Sequence, residues 1–314
     1  MKIILVLGIL FISVFARDIK PDYSLKASGG VTDMVLVGDS LYASTDASCV
    51  DIFDIKTKKK LDSICVSKIK DFMGDEIDSK IYSIDVLDGA LLILSQDGGG
   101  YRRVDIVKDG KLSHIITKDD HLYISKAKFI NNHTILIGLL SNIIMSYDID
   151  KKATNWEIQP TESKFSNFVL NKEKTKVVST DESGDLDMLD LKTGKVIKRF
   201  TGLNVDNVFQ VDWKKDTIVT AGQDRRCAVF NAKTAKGYYK QATFLIYSVG
   251  LSKNGDIAGF ASDDLNNVTV FNTFTKSDIV KLTNNKANIS NILFVKDNEV
   301  FVSCDTNEIN HYKF

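Results

Sequence analysis

Seven units of about forty residues, each built from four short strands, predict an all-β protein. The architecture expected is a single seven-bladed β-propeller, its ring closed by an N-terminal strand that completes the last blade. Two recurring signals carry this expectation. The first is an apolar or aromatic residue followed by Asp, Asn or Lys, at Phe53-Asp54, Val104-Asp105, Tyr147-Asp148, Leu189-Asp190, Phe230-Asn231, Phe271-Asn272 and Tyr312-Lys313. Its second members are 51, 43, 42, 41, 41 and 41 residues apart, and a period near forty carried by short strands marks a ring or array of repeated sheets. The second signal lies just upstream: Ser44-Thr45-Asp46, Ser95-Gln96-Asp97, Leu140-Ser141-Asn142, Ser179-Thr180-Asp181, Gly222-Gln223-Asp224, Ala261-Ser262-Asp263 and Ser303-Cys304-Asp305. Each ends a strand and opens a hairpin.

Between these landmarks the chain reads as strand throughout. Met34–Val37, Ala90–Leu94, Ile135–Ile137, Ile218–Thr220, Ile257–Ala261 and Val300–Val302 are short and often β-branched, and Gly, Asn and Asp clusters separate them. No helical period runs longer than three turns. The fourth unit sets the pattern of strands A to D: Ser166–Leu170, Lys176–Thr180, Leu186–Leu191 and Val196–Phe200. The seventh unit lacks its fourth strand, because the chain ends at Phe314. The segment Arg17–Ala27 is expected to supply it, with Ile19, Tyr23 and Leu25 turned inward. A ring closed by strands from both termini leaves few open sheet edges.

The 314 residues would ordinarily suggest two domains, but the repeat makes one body of residues 17–314. Lys plus Arg and Asp plus Glu both number 41, so no broad nucleic-acid footprint is expected. Residues 1–16 read differently. Lys2 precedes the apolar run Ile3–Phe15, and Val14 and Ala16 occupy the −3 and −1 positions of a cleavage site. That is the layout of a secretory signal peptide, too short to span a bilayer comfortably; the alternative is an uncleaved anchor. No Cys follows the run, so a lipid anchor has no attachment point. The expected product is an exported, periplasmic protein with no stable membrane anchor.

The hairpin Asp and the aromatic-Asp end of strand C, repeated at about forty residues, resemble WD-repeat propellers across the whole of 17–314. The tryptophan slot of that family is filled here by Phe53, Val104, Tyr147, Leu189, Phe230, Phe271 and Tyr312, and the Gly-His pair before strand A is absent from every unit. The resemblance therefore does not carry over the family's buried His–Ser–Asp–Trp network. Among exported propellers of this length the chain also resembles the accessory proteins encoded with some periplasmic nitrate reductases. That resemblance implies support of a molybdenum- and haem-dependent respiratory reductase.

Little in the sequence points to catalysis. His114, His121, His133 and His311 fall in different places without metal-ligand spacing. No nucleophile elbow, phosphate loop or dinucleotide fingerprint occurs. Gly98-Gly99-Gly100 reads as a hairpin tip, and the acidic run 181–187 lacks the spaced ligands of a helical calcium loop. No cofactor is expected. Cys49 opens strand C and Cys65 ends strand D of the first unit, almost opposite each other, which suggests a disulfide. Cys227 and Cys304 read as buried thiols.

Arginine is the most informative polar signal. The chain has 35 Lys and six Arg, and four of those form two pairs, Arg102-Arg103 and Arg225-Arg226. Both occupy the B–C connection, in units 2 and 5, which sets them on one face across the channel mouth. Arg is enriched at interfaces in a way Lys is not; the alternative is that each pair serves the aspartates of its own unit. A column at the entry of strand A, Asp33, Ser83, Ser125, Ser166, Asn207, Tyr247 and Ser290, suits a polar channel mouth, or satisfies strand-end backbone. The expectation is a monomeric, non-catalytic protein-binding scaffold that docks its partner on the Arg-bearing face, with Asp33 and Tyr247 on the same face. The alternative is a metal-dependent, lactonase-like hydrolase with its site at the channel mouth.

Overall fold

The computed structural model describes residues 17–314; the export signal expected at 1–16 lies outside them. Strands are numbered along the chain from β1 (Arg17–Ile19) and β2 (Tyr23–Lys26). Blade 1 is β3 (Val31–Val37), β4 (Ser40–Thr45), β5 (Cys49–Asp54) and β6 (Lys59–Cys65), followed by a small hairpin, β7 (Ile69–Lys70) and β8 (Glu76–Ile77). Blade 2 is β9 (Ile81–Leu87) to β12 (Lys111–Ile116), through β10 (Ala90–Gln96) and β11 (Arg102–Lys108). Blade 3 is β13 (Ile124–Asn131), β14 (Thr134–Leu139), β15 (Ile144–Asp148) and β16 (Ala153–Ile158). Blade 4 is β17 (Phe165–Leu170), β18 (Lys176–Asp181), β19 (Leu186–Asp190) and β20 (Val196–Phe200), within a residue of the expected pattern. Blade 5 is β21 (Val208–Lys214), β22 (Thr217–Gly222), β23 (Arg226–Asn231) and β24 (Gly237–Gln241). Blade 6 is β25 (Val249–Leu251), β26 (Ile257–Ala261), β27 (Val268–Asn272) and β28 (Asp278–Leu282). Blade 7 is β29 (Ile289–Lys296), β30 (Glu299–Cys304) and β31 (Glu308–Lys313).

The all-β, seven-bladed propeller is thus the fold, each blade an antiparallel meander. Strand B lies between two neighbouring blades, so both its faces are covered. This explains the unbroken apolar run of β10, Ala90–Leu94, buried along its length. Strand D faces outward, and β6 and β12 are correspondingly exposed and polar. Sheets pack face to face through aromatic pairs such as Phe200–Phe230, with ring centroids 5.5 Å apart, while Phe260 and Phe271 pair at 5.7 Å on neighbouring strands within blade 6.

The repeated Asp or Asn at the end of strand C has a definite local task. Asp54 accepts the backbone N–H of Lys56 and Thr57, Asp190 that of Thr193, Asn231 those of Lys233 and Thr234, and Asn272 those of Phe274 and Thr275. Each side chain closes the C–D turn. Asp148 does the same for Asp150 and Lys151, and the fifth residue of these five turns is left-handed: Lys58, Lys152, Gly194, Ala235 and Lys276 lie at φ 60°, 51°, 72°, 57° and 65°.

Blade 2 departs from the expected register. Val104-Asp105 does not fill the repeated slot; Asp105 is fully buried within β11. Val107 stands opposite Leu91 as Phe53 stands opposite Leu41, so the equivalent pair is Val107-Lys108, 54 residues after Asp54 and 40 before Asp148. The C–D connection here is the two-residue turn Asp109-Gly110, at φ 51° and 72°, which closes without a side-chain cap. The extra residues upstream form the β7–β8 hairpin.

Closure of the ring uses both chain ends. β2 runs antiparallel to β31, with Tyr23 opposite His311 and Leu25 opposite Ile309. Leu25 is buried in the blade 7–blade 1 core. β1 does something not anticipated: it adds a fifth, parallel strand to blade 6, with Arg17 opposite Val280 and Ile19 opposite Leu282. The N-terminal segment therefore completes blade 7 through β2, as expected, and extends blade 6 through β1.

Candidate functional site: the channel and the loop face

The channel wall is strand A of each blade, and six of those strands carry a β-bulge near their start. The ladder skips Thr32, Tyr82, Ser125, Ser166, Phe209 and Ser290. A bulge sets two successive residues against one partner and re-aims the side chains that follow. The polar column expected from the sequence therefore mixes positions. Ser125, Ser166 and Ser290 are skipped residues, Asp33 and Ser83 come one later, and Asn207 and Tyr247 precede β21 and β25.

The residues just after the bulge form a belt that ties each blade to the next. Asp33 accepts the Ile84 backbone N–H at 3.0 Å, and Asp85 that of Phe129 at 2.8 Å. Lys126 donates to Asn167 Oδ1 at 2.6 Å, and Asn167 Nδ2 donates to the Phe209 carbonyl at 3.1 Å. Asp212 accepts the Leu251 N–H at 2.9 Å. Between blades 6 and 7 the approach is too close for any side chain: a Cβ on Gly250 would lie 2.2 Å from the Ile292 carbonyl oxygen. Asn291 closes the circle on the Thr32 carbonyl at 3.3 Å. Satisfying neighbouring backbone is thus the role of Asp33 and Ser83, the latter bonded to both backbone groups of Ala127.

Lysines fill the remaining polar wall of a cavity of about 510 Å³. Lys128 pairs with Asp33 at 2.9 Å, Lys214 with Asp212 at 2.7 Å, and Lys174 with Asp85 at 3.9 Å. Burial and the neighbouring Lys128 ammonium hold Lys126 down to about 8, although Asp33, Asp212 and Asp85 pull the other way. Burial also opposes the charge on Lys128, but Asp33 and Asp85 outweigh it and move that group up. Sequence reasoning missed Lys126, Lys128, Asp85 and Asp212. The available signal was a charged residue at alternate positions inside an apolar strand, as in Ser125-Lys126-Ala127-Lys128-Phe129, which demands a polar surface on the inner side.

The two arginine pairs are not brought together as an interface. Arg103 is buried, 2.9 Å from Asp105 and bonded to Ser67. Arg102 lies over the Tyr82 ring and donates to the Gly100 carbonyl. Arg226 stacks on Tyr239, with its Nε 4.0 Å from Asp224, and donates to the Leu203 carbonyl. Arg225 is exposed at φ 65°. Three of the four thus act within their own surroundings, because planar guanidinium groups satisfy strand-end carbonyls and carboxylates together. Tyr247 stacks on Phe209 at 5.3 Å beside the channel mouth.

The B–C and D–A connections share one face, and it carries apolar side chains in solvent. Phe72 is 95% exposed and Met73 72%, at the tip of the β7–β8 hairpin, with Leu265 at 71% in a B–C turn. The tip is fixed by Asp71, whose Oδ1 accepts the backbone N–H of Met73 and Asp75. Phe274, also exposed, lies on the opposite face in a C–D turn. On blade 1, Cys49 and Cys65 are direct cross-strand partners joined by a disulfide; Cys227 and Cys304 are buried thiols.

No protein family matches the sequence, and no curated protein does. Among solved structures, the chain is similar to the computationally designed Ika8 protein, with a TM-score of 0.68 and 14% identity, over 95% of this chain and 100% of that one. At that identity the likeness concerns fold alone. The class of protein is a β-propeller, and 1828 solved chains match it, so function has to be argued from this chain's own surfaces.

Proposed function

We propose that the chain is an exported, non-catalytic binding scaffold that meets a protein partner through the face bearing the B–C and D–A connections. The observation that carries this reading is the β7–β8 hairpin. It is an insertion at one blade junction only, its turn is held by Asp71, and it projects Phe72 and Met73 into solvent. A loop set on a rigid scaffold is the usual carrier of binding, and a pre-formed tip loses little freedom when it docks. Exposed Arg225 adds charge to the same face. The resemblance to nitrate reductase accessory proteins suggests a respiratory reductase or its electron donors as partner, and the sequence of residues 1–16 suggests the periplasm. A metal-dependent hydrolase would need convergent free carboxylates or imidazoles. The channel aspartates Asp33, Asp85 and Asp212 are each engaged with a lysine and a backbone N–H.

Affinity capture of the tagged protein from periplasmic extract tests the reading. A respiratory reductase or its electron donor is expected, with recovery falling about tenfold or more for Phe72→Ser with Met73→Ser while thermal unfolding stays unchanged. Equal capture by that variant would remove the hairpin from the interface, and capture of nothing would end the scaffold reading.

A further inference from the structure

We propose that the central channel is a binding site for a small anion bearing carboxylate or phosphate-like oxygens, received by the Lys126 ammonium. The charges around the channel do not balance locally. Asp33, Asp85 and Asp212 are each matched by one lysine, respectively Lys128, Lys174 and Lys214. Lys126 is left over. Among the described residues it has no carboxylate within 4.0 Å, and its one hydrogen-bond acceptor is the neutral Asn167 Oδ1. That amide cannot turn to suit it further, because its Nδ2 is committed to the Phe209 carbonyl.

A half-buried ammonium without a counter-charge is costly, and a charge-assisted contact from an incoming anion offsets that cost. The cavity, about 510 Å³, is within the range that holds a small organic ligand. Ser125 lines the same wall, and its hydroxyl can donate to a second oxygen, whereas the Ser166 hydroxyl is already given to Asn207 Oδ1. Exposed Lys172, in the A–B turn of blade 4, adds positive charge at the rim, which raises the local concentration of anions. The lowered proton affinity of Lys126 fits this picture: an anion beside it would draw the proton back. The groups facing Lys126 are Lys128 on its own strand, Asp33 on β3, Asp85 on β9, and Asp212 with Lys214 on β21.

Isothermal titration calorimetry of the purified protein at low salt decides the matter, using succinate and inorganic phosphate separately. Saturable one-site binding of at least one probe is expected, about tenfold weaker in Lys126→Gln and changed less than about threefold in Lys172→Gln. Succinate alone would identify an organic acid, phosphate alone an inorganic oxyanion, and both the shared chemistry. Absence of saturable binding by either probe, or equal affinity in Lys126→Gln, overturns the proposal. If Lys126→Gln folds poorly, the Lys126 amine of the unaltered protein is followed by NMR. Its titration must move upward when the probe binds; an unmoved titration is equally fatal.

Discussion

The ring of Tyr23 lies flat on the imidazole of His311, centroids 4.5 Å apart and planes 18° from parallel. Residues nearly a whole chain apart are thereby stacked at the seam, next to the Leu25–Ile309 register pair. Closure of the ring depends on this segment for backbone pairing to blades 6 and 7 and for apolar burial. Leu25→Ala should cost about 3 kcal/mol, the usual range for a buried leucine. Deletion of residues 17–28 should lower the melting temperature sharply, since it uncovers β31 and β28 together. Urea unfolding followed by circular dichroism measures both, and a deletion variant that melts unchanged would refute closure by the N-terminal segment.

The parts legible in the sequence were those fixed by local chemistry. Asp54, Asp190, Asn231 and Asn272 recur because each closes the same turn with its own side chain, and a local rule leaves a local trace. Blade 2 closes its turn with Asp109-Gly110 instead, so the slot there was misplaced onto buried Asp105. β1 was hidden because three residues carry no period, and its parallel pairing to Val280–Leu282 is a tertiary event. The channel wall was misread because a bulge after Val31, Ile124 or Ile289 shifts facing by one residue. The contacts of the arginines were not legible because some partners, Ser67 for Arg103 and the Leu203 carbonyl for Arg226, come from the connection to the preceding blade.

The belt of side chains on neighbouring backbone should be a cooperative stabiliser. Asp212→Ala would orphan the Leu251 N–H and release Lys214. A loss of about 2 kcal/mol is expected, the cost of a stranded buried donor. Asp212→Asn keeps an acceptor and should lose less than half as much. Equal losses in the two variants would show that the carboxylate charge, and not the blade-to-blade hydrogen bond, matters at this junction.

The cross-strand bridge of Cys49 and Cys65 pins the outer strand of blade 1. Mass spectrometry after alkylation in denaturant without reductant should find two modifiable thiols, Cys227 and Cys304, and four after reduction. Reduction should lower stability by about 3 kcal/mol, as expected for a short closed loop. Four thiols before reduction would show the bridge to be absent.

The turn-closing aspartates set an acid limit. Backbone N–H groups of Thr57 and Lys151, and the Thr193 hydroxyl, lead the interactions that hold Asp54, Asp148 and Asp190 below the usual carboxylate range. A depressed folded value means that the unfolded chain binds these protons first. The stabilisation is present above about pH 4 and is lost as pH falls through the lowered values. Asp190→Asn, which copies the residue used in blades 5 and 6, should fold normally and show a shallower decline in melting temperature below about pH 4. An identical acid profile would mean that Asp190 contributes nothing to it.

Lys126 should cost the fold stability in return for its position in the channel. Its ordinary value of 10.5 falls to about 8 in the folded protein, chiefly through burial. Between those values the unfolded chain keeps the proton and the folded chain has released it, so stability should rise as pH climbs from about 8 to about 10.5. Below about 8 the charged lysine opposes folding in full. Lys126→Met, of similar length and without charge, should therefore be the more stable protein at neutral pH. The gain expected is about 1 kcal/mol, well short of the full proton-affinity difference because the side chain opens onto channel water. The same variant should lose the alkaline rise seen in the unaltered protein. Chemical unfolding at about pH 7 and about pH 10 compares the two. A variant less stable at pH 7, or with the alkaline rise intact, would place the charge of Lys126 among the supports of the fold and not among its burdens.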